Sequence, residues 1–316
     1  MRGESVSENA RYRLVTRSDF DGVVCAALLR ELEMIDDIKF VHPKDVQDGK
    51  VEITSRDITT NLPYVPTCHM SFDHHSSEVA RTGGTATNLV IDPKAASAAR
   101  VVYEHFGGHQ RFPTITPELM AAVDKADSAQ FSREDILEPK GWDLLSFVMD
   151  PRTGLGRFRE FRISNYALMM ELIDHCRRLP LVEIEKLPDV QERTQLYFQH
   201  AEDFRAQIRR CSSVHGNLVV LDLRHEAVIH PGNRFVIYAV YPECNISIHA
   251  MWGLKQQNTV FAIGKSILNR TSRTDIGALA LSYGGGGHEA AGTLQVDNDR
   301  AERVLRELIE KINRDG

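Results

Sequence analysis

Short apolar or β-branched runs alternate with longer helical patterns in the first half of the chain. The runs that predict strands are YRLVT (12–16), IKFVH (38–42), VEITS (51–55), CHMSF (68–72) and NLVI (88–91). Apolar residues recur at helical spacing over 22–35 and 96–106, and Thr116 followed by Pro117 is typical of a helix start. Strands that alternate with helices predict an α/β fold whose mostly parallel sheet is covered on both faces.

The second half of the chain has a different pattern. Helices are expected near 164–178 and 189–211. From residue 218 the runs LVVLD, FVIYAV, NISIHAM and TVFAI predict strands, followed by a helical run, DIGALALSY, four glycines and an amphipathic helix from Asp299. Because 316 residues exceed one ordinary core, we predict an N-terminal α/β domain over 1–187, a helical connector over 188–215 and a smaller α+β domain over 216–316.

The amino-acid composition limits the cellular compartment and the kinds of partner that we expect. The chain is 42% hydrophobic and 26% charged, and it has no apolar run of the about eighteen residues that a membrane span needs. Residues 1–10 carry no signal-peptide core, and the five cysteines form no CxxC pair, so we expect a cytoplasmic protein without membrane partners. A net charge of −6 argues against a surface for long nucleic acid and favours a small phosphorylated substrate or short RNA.

Acidic and histidine side chains follow several of the predicted strands. Because the carboxyl ends of parallel strands share one edge of a sheet, these residues are expected to converge there. They are Asp19, Asp21, Asp57, Asp73, His74 and His75, joined by Asp124 and Asp127, which lie three apart on one face of a predicted helix. So many carboxylates need compensating positive charge, which a divalent metal usually supplies. Carboxylate and imidazole ligands suit manganese, iron or zinc, and the lack of nearby cysteines disfavours a structural zinc site.

Each of these elements also has an ordinary structural interpretation. SDFDG (18–22) alone is often a turn that caps a helix, and adjacent histidines are often surface residues. The four glycines 284–287 could form a flexible linker. Because glycines inside a domain cost conformational entropy on folding, a close approach of the backbone to an anionic ligand explains them better. Lys265 and Arg270 are either solvated charges or substrate contacts.

Taken together, SDFDG, the Asp57 segment, FDHHSS (72–77), KADSAQF (125–131) and GGGGHEAAG (284–292) occur in the order of one family's motifs. The sequence resembles the Asp-His-His (DHH) phosphoesterases with a DHH-associated C-terminal domain. That superfamily includes nanoRNases, cyclic-dinucleotide phosphodiesterases, exopolyphosphatases and RecJ-type nucleases. The resemblance covers nearly the whole chain and implies a two-manganese phosphohydrolase whose cleft lies between its two domains.

The resemblance also implies roles for single residues. For the metals, it implies that Asp19 binds the first ion, that Asp21, His74 and Asp127 bind the second, and that Asp57 bridges both. Asp73 and His75 would fix the tautomer of His74 or meet the substrate phosphate. Substrate contacts in the C-terminal domain would come from Gly285, Gly286, Gly287, His288, Lys265 and Arg270.

Arg17 departs from the family pattern. Many relatives carry a metal-binding histidine where this chain has Arg17, and a guanidinium cannot bind a cation. We therefore expect a weak or empty first metal site, with Arg17 paired to Asp19 or to a substrate phosphate.

The leading functional hypothesis is a manganese-dependent phosphodiesterase that cleaves very short RNA or linear dinucleotides such as pGpG into mononucleotides. Two alternatives stay open: an exopolyphosphatase or pyrophosphatase with the same metal core, and a nucleotide-binding protein with weakened catalysis. A homodimer is the oligomer that we consider.

Overall fold

The computed structural model describes residues 11–316, with Ala80 described by its backbone alone, and divides them into two compact units. Unit 1 is the chain up to Gln130 together with Lys140–Pro151 and Leu155–Thr194. Unit 2 comprises Phe131–Pro139, Arg152–Gly154 and Gln195–Gly316. The segment 1–10, in which the sequence shows no signal-peptide core, lies outside the described residues. The domain limits placed after residues 187 and 215 stay predictions.

A sheet of parallel strands forms the centre of unit 1. Its strands are β1 (Tyr12–Arg17), β2 (Ile35–Val41), β3 (Asp57–Thr60), β4 (Met70–Asp73) and β5 (Leu89–Ile91). They lie in the order β2-β1-β3-β4-β5, and every neighbouring pair is parallel. The carboxyl ends of all five strands therefore lie along one edge, which is the property on which the predicted site depends.

Fourteen α-helices lie within residues 11–316. Some cover the sheet of unit 1, and others belong to unit 2. In chain order they are α1 (Phe20–Glu31), α2 (Pro43–Gln47), α3 (Ser76–Thr82), α4 (Ala98–His105), α5 (Pro117–Asp127), α6 (Arg133–Leu137), α7 (Gly141–Met149), α8 (Asn165–Arg178), α9 (Leu181–Ile184), α10 (Pro188–Gln199), α11 (Ala201–Cys211), α12 (Val236–Val240), α13 (Ile276–Leu281) and α14 (Ala301–Asp315). Of these, α6 and the helices from α11 onward belong to unit 2. None of the helices within residues 11–316 has the length and apolarity that a bilayer crossing requires.

Apolar side chains pack on both faces of the unit 1 sheet. On one face, α1 is buried from Phe20 to Leu29 because its sequence is apolar around most of its circumference. It shares a core with Leu14, Ile58 and Phe72 of the sheet. A smaller cluster lies around Val15 on β1, whose side chain points away from that of Leu14. The two clusters confirm a sheet that is covered on both sides.

Unit 2 is a mixed sheet with helices. Its strands are β6 (Ser212–His215), β7 (Leu218–Asp222), β8 (Ile246–Trp252), β9 (Thr259–Lys265), β10 (Gly286–His288) and β11 (Ala291–Val296). The order is β10-β11-β9-β8-β7-β6, with β7 and β8 parallel and the other neighbours antiparallel. Apolar residues of α13 and α14 pack with those of the strands in one core. An α/β fold with a second α+β unit is thus confirmed.

Three of the predicted elements have a different structure from the one expected. VEITS (51–55) is not a strand, because the carbonyl oxygen of Thr54 accepts the backbone N–H of Asp57 at 3.0 Å and closes a turn before β3. FVIYAV forms the helix α12, which follows a turn in which Asn233 Oδ1 accepts the N–H of Phe235 at 2.9 Å. A short apolar run fits a buried helix as well as a strand, which explains this error. The helix predicted over 189–211 is two helices, α10 and α11, separated at His200.

Candidate active site

The SDFDG motif forms the turn between β1 and α1. Asp19 caps α1, since its Oδ1 accepts the N–H of Gly22 at 3.1 Å. A Cβ at position 22 would overlap the carbonyl oxygen of Arg17, so only glycine allows this close approach. The turn thereby places Asp21 in the first turn of α1, at the carboxyl edge of the sheet.

Asp21 is a buried carboxylate with 2% of its surface exposed. Its Oδ1 accepts the N–H of Ala99 at 2.8 Å, and its Oδ2 accepts Nδ2 of Asn61 at 2.8 Å. Burial raises its pKa well above the usual range, and the negative charges of Asp127 and Asp19 raise it further. The side chains around Asp21 therefore leave its negative charge poorly compensated.

His74 follows β4 and contacts both the backbone and a second carboxylate. Its Nδ1 lies 3.2 Å from the carbonyl oxygen of Ala95, and its Nε2 lies 2.9 Å from a carboxylate oxygen of Asp127. Burial alone would lower the pKa of His74, but the hydrogen bond to Asp127 and the charges of Asp127 and Asp21 outweigh it and raise the pKa to about 9. Two ligands of one divalent ion lie roughly 3 Å apart when each bond is about 2.1 Å. Nε2 and the Asp127 oxygen thus have the separation of two ligands of one ion.

Asp73 and His75 flank His74 and pair with each other. Asp73 is 1% exposed, and its Oδ1 lies 2.8 Å from Nδ1 of His75. The rings of His74 and His75 meet edge to face with centroids 4.5 Å apart. Within residues 11–316, the buried Oδ2 of Asp73 has no hydrogen-bond partner. Asp73 therefore orients His75 and keeps a second oxygen available at the sheet edge.

Asn61 is a site residue that the sequence reasoning missed. It follows β3 directly, is 2% exposed, and adopts a left-handed backbone with φ of 54°. Its Nδ2 donates to Asp21, while its buried Oδ1 has no partner in the described part of the chain. The sequence does show a polar residue, Asn61, directly after the β-branched run DITT (57–60). It was missed because the strand was predicted over 51–55 instead.

These donors fit a hard divalent cation. Carboxylate and amide oxygens with one imidazole nitrogen suit manganese or magnesium. The positive charge of such a cation would compensate the negative charges of Asp21 and its neighbours. Two further oxygens, Asn61 Oδ1 and Asp73 Oδ2, are buried and lack partners among the described residues. A buried oxygen without a partner costs free energy, and a cation at the edge would recover it.

Arg17 pairs with Asp19. Its Nε lies 2.9 Å from Asp19 Oδ2, while Asp19 Oδ1 caps α1. Both oxygens of Asp19 are therefore engaged by groups of this chain. The guanidinium brings a permanent positive charge to the carboxylate that was predicted to bind the first ion.

Asp57 does not lie with the other acidic residues. It begins β3, opposite Arg13 at the start of β1, and a rise of about 3.3 Å per residue puts it roughly 13 Å along the chain from Asn61. Burial favours its neutral form, but hydrogen bonds from Arg13 and Thr54 prevail and lower its pKa. The bridging position predicted for Asp57 is thus wrong, because it assumed a strand ending before residue 57.

Asp124 and Asp127, three residues apart on α5, have different environments. Asp124 accepts Ser97 Oγ at 2.7 Å and two nitrogens of Arg100 at 2.9 and 2.6 Å. Asp127 lies at the last residue of α5 and faces His74. Asp124 therefore holds α4 and α5 together, and Asp127 joins the edge.

The glycine run in unit 2 forms the edge strand β10 and the turn before it. Gly285 and Gly287 lie against β11 so closely that a Cβ would overlap the carbonyl oxygens of Thr293 and Ala291. At Gly286, in contrast, a Cβ would meet no atom within 4 Å. Pairing with β11 thus explains Gly285 and Gly287. Gly284 and Gly286 both adjoin open space, and only Gly284 has a left-handed backbone, with φ of 78°.

Three charged or polar side chains predicted to contact substrate also lie in unit 2. His288 ends β10, and its Nδ1 accepts the N–H of Ala290 at 3.3 Å, which puts the proton of the neutral ring on Nε2. Lys265 ends β9 and lies 3.0 Å from Glu289. Arg270 is part of a turn, where its Nε donates to the carbonyl of Ile267 at 3.1 Å. His288 and Lys265 therefore lie near the turn between β10 and β11.

Comparison with known proteins finds similar solved structures. No protein-family model matches the chain, and no curated protein does. The pGpG-specific phosphodiesterase PggH from Vibrio cholerae is 60% identical over 97% of this chain and 100% of its own, with a TM-score of 0.83. RecJ from Thermus thermophilus, solved with Mg²⁺, is 14% identical over 97% of this chain and 50% of its own, with a TM-score of 0.50. The likeness to RecJ concerns the fold alone.

Identity of this extent, with the DHH triplet at the end of β4, defines the class: the chain belongs to the Asp-His-His phosphoesterase family. It is a phosphohydrolase, as the sequence motifs implied. Within that class, the chain is similar to PggH over the whole length of PggH, and the resemblance stated from the sequence is confirmed.

Proposed function

We propose that this chain hydrolyses linear dinucleotides, with pGpG as the preferred substrate, to mononucleotides in a manganese-dependent reaction. The observation that carries the proposal is the 60% identity to the pGpG-specific phosphodiesterase PggH over the whole of that chain. The geometry of the sheet edge supports it, because His74 lies 2.9 Å from Asp127 and the charges of both act on the buried carboxylate of Asp21.

In this proposal the described residues divide the work at the edge. Asp21, His74 and Asp127 hold the cation, and Asn61 and Asp73 each offer a buried oxygen that has no hydrogen-bond partner among the described residues. When bound, the cation supplies Lewis-acid stabilisation of the attacked phosphate group.

Arg17 and His75 act on charge and protons. The fixed charge of Arg17, paired with Asp19, takes over part of a metal's electrostatic role and leaves the first ion weakly bound. Asp73 holds the ring of His75 through Nδ1, so that Nε2 is the atom that exchanges a proton with substrate or water.

Unit 2 contributes substrate contacts in the same proposal. The open backbone at Gly286 lets a phosphate oxygen approach closely, and the Nε2 proton of His288 donates to it. Lys265 and Arg270 add positive charge. We also propose a cytoplasmic protein, since all five cysteines are free thiols, as is usual in a reducing compartment.

The test is hydrolysis of a substrate panel by the purified full chain, with manganese as the added metal. The panel holds pGpG, other linear diribonucleotides, cyclic di-GMP, pAp and polyphosphate, and products are separated by ion-exchange chromatography. We expect GMP from pGpG with the highest kcat/KM of the panel. Faster release of phosphate from polyphosphate would support an exopolyphosphatase instead, and tight pGpG binding without turnover would indicate a binding protein.

A further inference from the structure

A second cluster of metal-ligating side chains lies in unit 2 and shares no residue with the motifs above. It consists of His200, Asp203 and His230, each of which offers a ligand atom within 4.8 Å of the others. His200 precedes the first residue of α11, and Asp203 lies three residues later in its first turn. Side chains three apart on a helix share a face, so the helix presents both to His230.

The two imidazoles of this cluster face each other through the same ring atom. Nδ1 of His200 lies 3.1 Å from Nδ1 of His230, and the ring planes are inclined by 43°. Two zinc–nitrogen bonds of about 2.0 to 2.1 Å at a tetrahedral angle place the nitrogens roughly 3.3 Å apart. The observed separation differs from that value by a few tenths of an ångström, so that both nitrogens can bind one ion after a small adjustment.

The backbone that carries His230 is held in place by a buried side chain. Gln207, which is 1% exposed, accepts the N–H of His230 at 3.0 Å through Oε1. Its Nε2 donates to the carbonyl of Val228 at 2.7 Å and to Glu226 at 2.6 Å. One residue of α11 therefore fixes the segment that brings His230 to His200, and a site fixed before binding loses little entropy when the ion arrives.

We propose that His200, Asp203 and His230 form a second metal site, which binds zinc or a related borderline divalent ion. Two imidazoles and one carboxylate are a common zinc ligand set, and the exposure of Asp203 leaves room for water as a fourth ligand. Imidazole nitrogens favour zinc, cobalt and nickel over manganese and magnesium. The two sites therefore differ in metal preference, and the second ion ties the start of α11 to the segment before α12.

Zinc content of the full chain tests this site. Metal-free protein is titrated with zinc against a chromophoric chelator, in wild type, His200→Gln, His230→Gln and the control His215→Gln from the same unit. We expect wild type and the control to bind one more zinc per chain than either cluster variant. Cobalt should give the absorption bands of a four-coordinate N₂O₂ site in wild type and lose them in His230→Gln.

Two further variants separate this site from the active site and from misfolding. His74→Ala should retain the cobalt bands, because His74 belongs to unit 1. Asp203→Asn changes an exposed side chain, keeps the fold, and should weaken zinc binding about tenfold. Equal zinc stoichiometry and affinity in wild type, His230→Gln and Asp203→Asn would overturn the proposal, as would cobalt bands that depend on His74 alone.

Discussion

Arg13 holds both carboxylate oxygens of Asp57, with Nε 2.6 Å from Oδ1 and a terminal nitrogen 3.0 Å from Oδ2. Thr54 adds its N–H at 2.7 Å and its hydroxyl at 3.0 Å. The pair joins the start of β1 to the start of β3, so its role is structural.

Asp57→Asn should therefore lower stability without removing metal. We expect a loss of about 2 kcal/mol, less than for a fully buried pair because Arg13 reaches solvent. Folding lowers the pKa of Asp57. Its contribution to the free energy of unfolding is therefore complete above the pKa of the unfolded chain, about 4, and is lost as the pH falls through the lower pKa of the folded protein. Urea unfolding at pH 7 and pH 3 checks this. Unchanged stability together with lost manganese would restore the bridging role.

Asn61→Asp should change metal affinity and stability in opposite directions. A third carboxylate beside Asp21 adds repulsion, so the metal-free protein should lose about 1 to 2 kcal/mol. A charged oxygen in place of the amide should tighten manganese binding about tenfold. Thermal unfolding in chelator and calorimetric manganese titration measure the two effects, and weaker manganese binding would show that Asn61 does not face the ion.

Asp127→Asn and Asp124→Asn form a matched pair on one helix. Asp127→Asn should lower kcat/KM by about 100-fold or more while the metal-free protein changes little in stability, because the relieved repulsion with Asp21 offsets the lost charge pairing with His74. Asp124→Asn should retain manganese and lose about 2 kcal/mol of stability, since Arg100 loses the charged carboxylate that accepts two of its nitrogens and keeps only Glu104 among the described carboxylates. If Asp124→Asn lost manganese and activity while Asp127→Asn lost only stability, the roles given to the two residues would have to be exchanged.

Arg17→His should restore a ligand at the first metal position. We expect a second manganese ion to bind about tenfold more tightly, with higher activity at low manganese. The measurement is manganese stoichiometry and kcat/KM against manganese concentration, with Arg17→Gln as the control that removes the charge and supplies no imidazole. An unchanged manganese dependence with a raised KM in both variants would make Arg17 a substrate clamp.

Gly285→Ala and Gly286→Ala separate the two reasons for the glycine run. Gly285→Ala should cost about 2 to 3 kcal/mol of stability, because its Cβ meets the backbone of β11. Gly286→Ala should change stability by less than about 0.5 kcal/mol and raise KM for pGpG, since its Cβ occupies the open space. A Gly286→Ala variant with wild-type KM would mean that no phosphate approaches this backbone.

The positions of site residues could be predicted from the sequence where they follow strands that clear apolar runs mark. Asp21 and His74 follow β1 and β4, whose apolar residues predicted both strands, and the rule for parallel sheets then placed them at one edge. The geometry of His74 with Asp127 could not be derived, because it depends on how α5 packs.

The error at β3 had a specific physical cause. VEITS and DITT are equally β-branched, and only the hydrogen bonds of Thr54 to Asp57 decide that the first is a turn. Moving the strand by a few residues carried Asp57 to the opposite end and hid Asn61. In unit 2, the strand predicted for FVIYAV was wrong for a related reason. A short apolar run fits a helix as well as a strand, and here it follows a turn that is closed by the bond from the Phe235 N–H to Asn233.

The length of β3 has a practical consequence for engineering. The Arg13–Asp57 pair and Asn61 lie at its two ends, roughly 13 Å of extended chain apart, so substitutions at one end should leave the other largely undisturbed. A directed-evolution programme could therefore raise heat tolerance at the amino ends of the strands first. The margin gained there would then allow riskier changes at the opposite edge, where new substrate preferences would be selected.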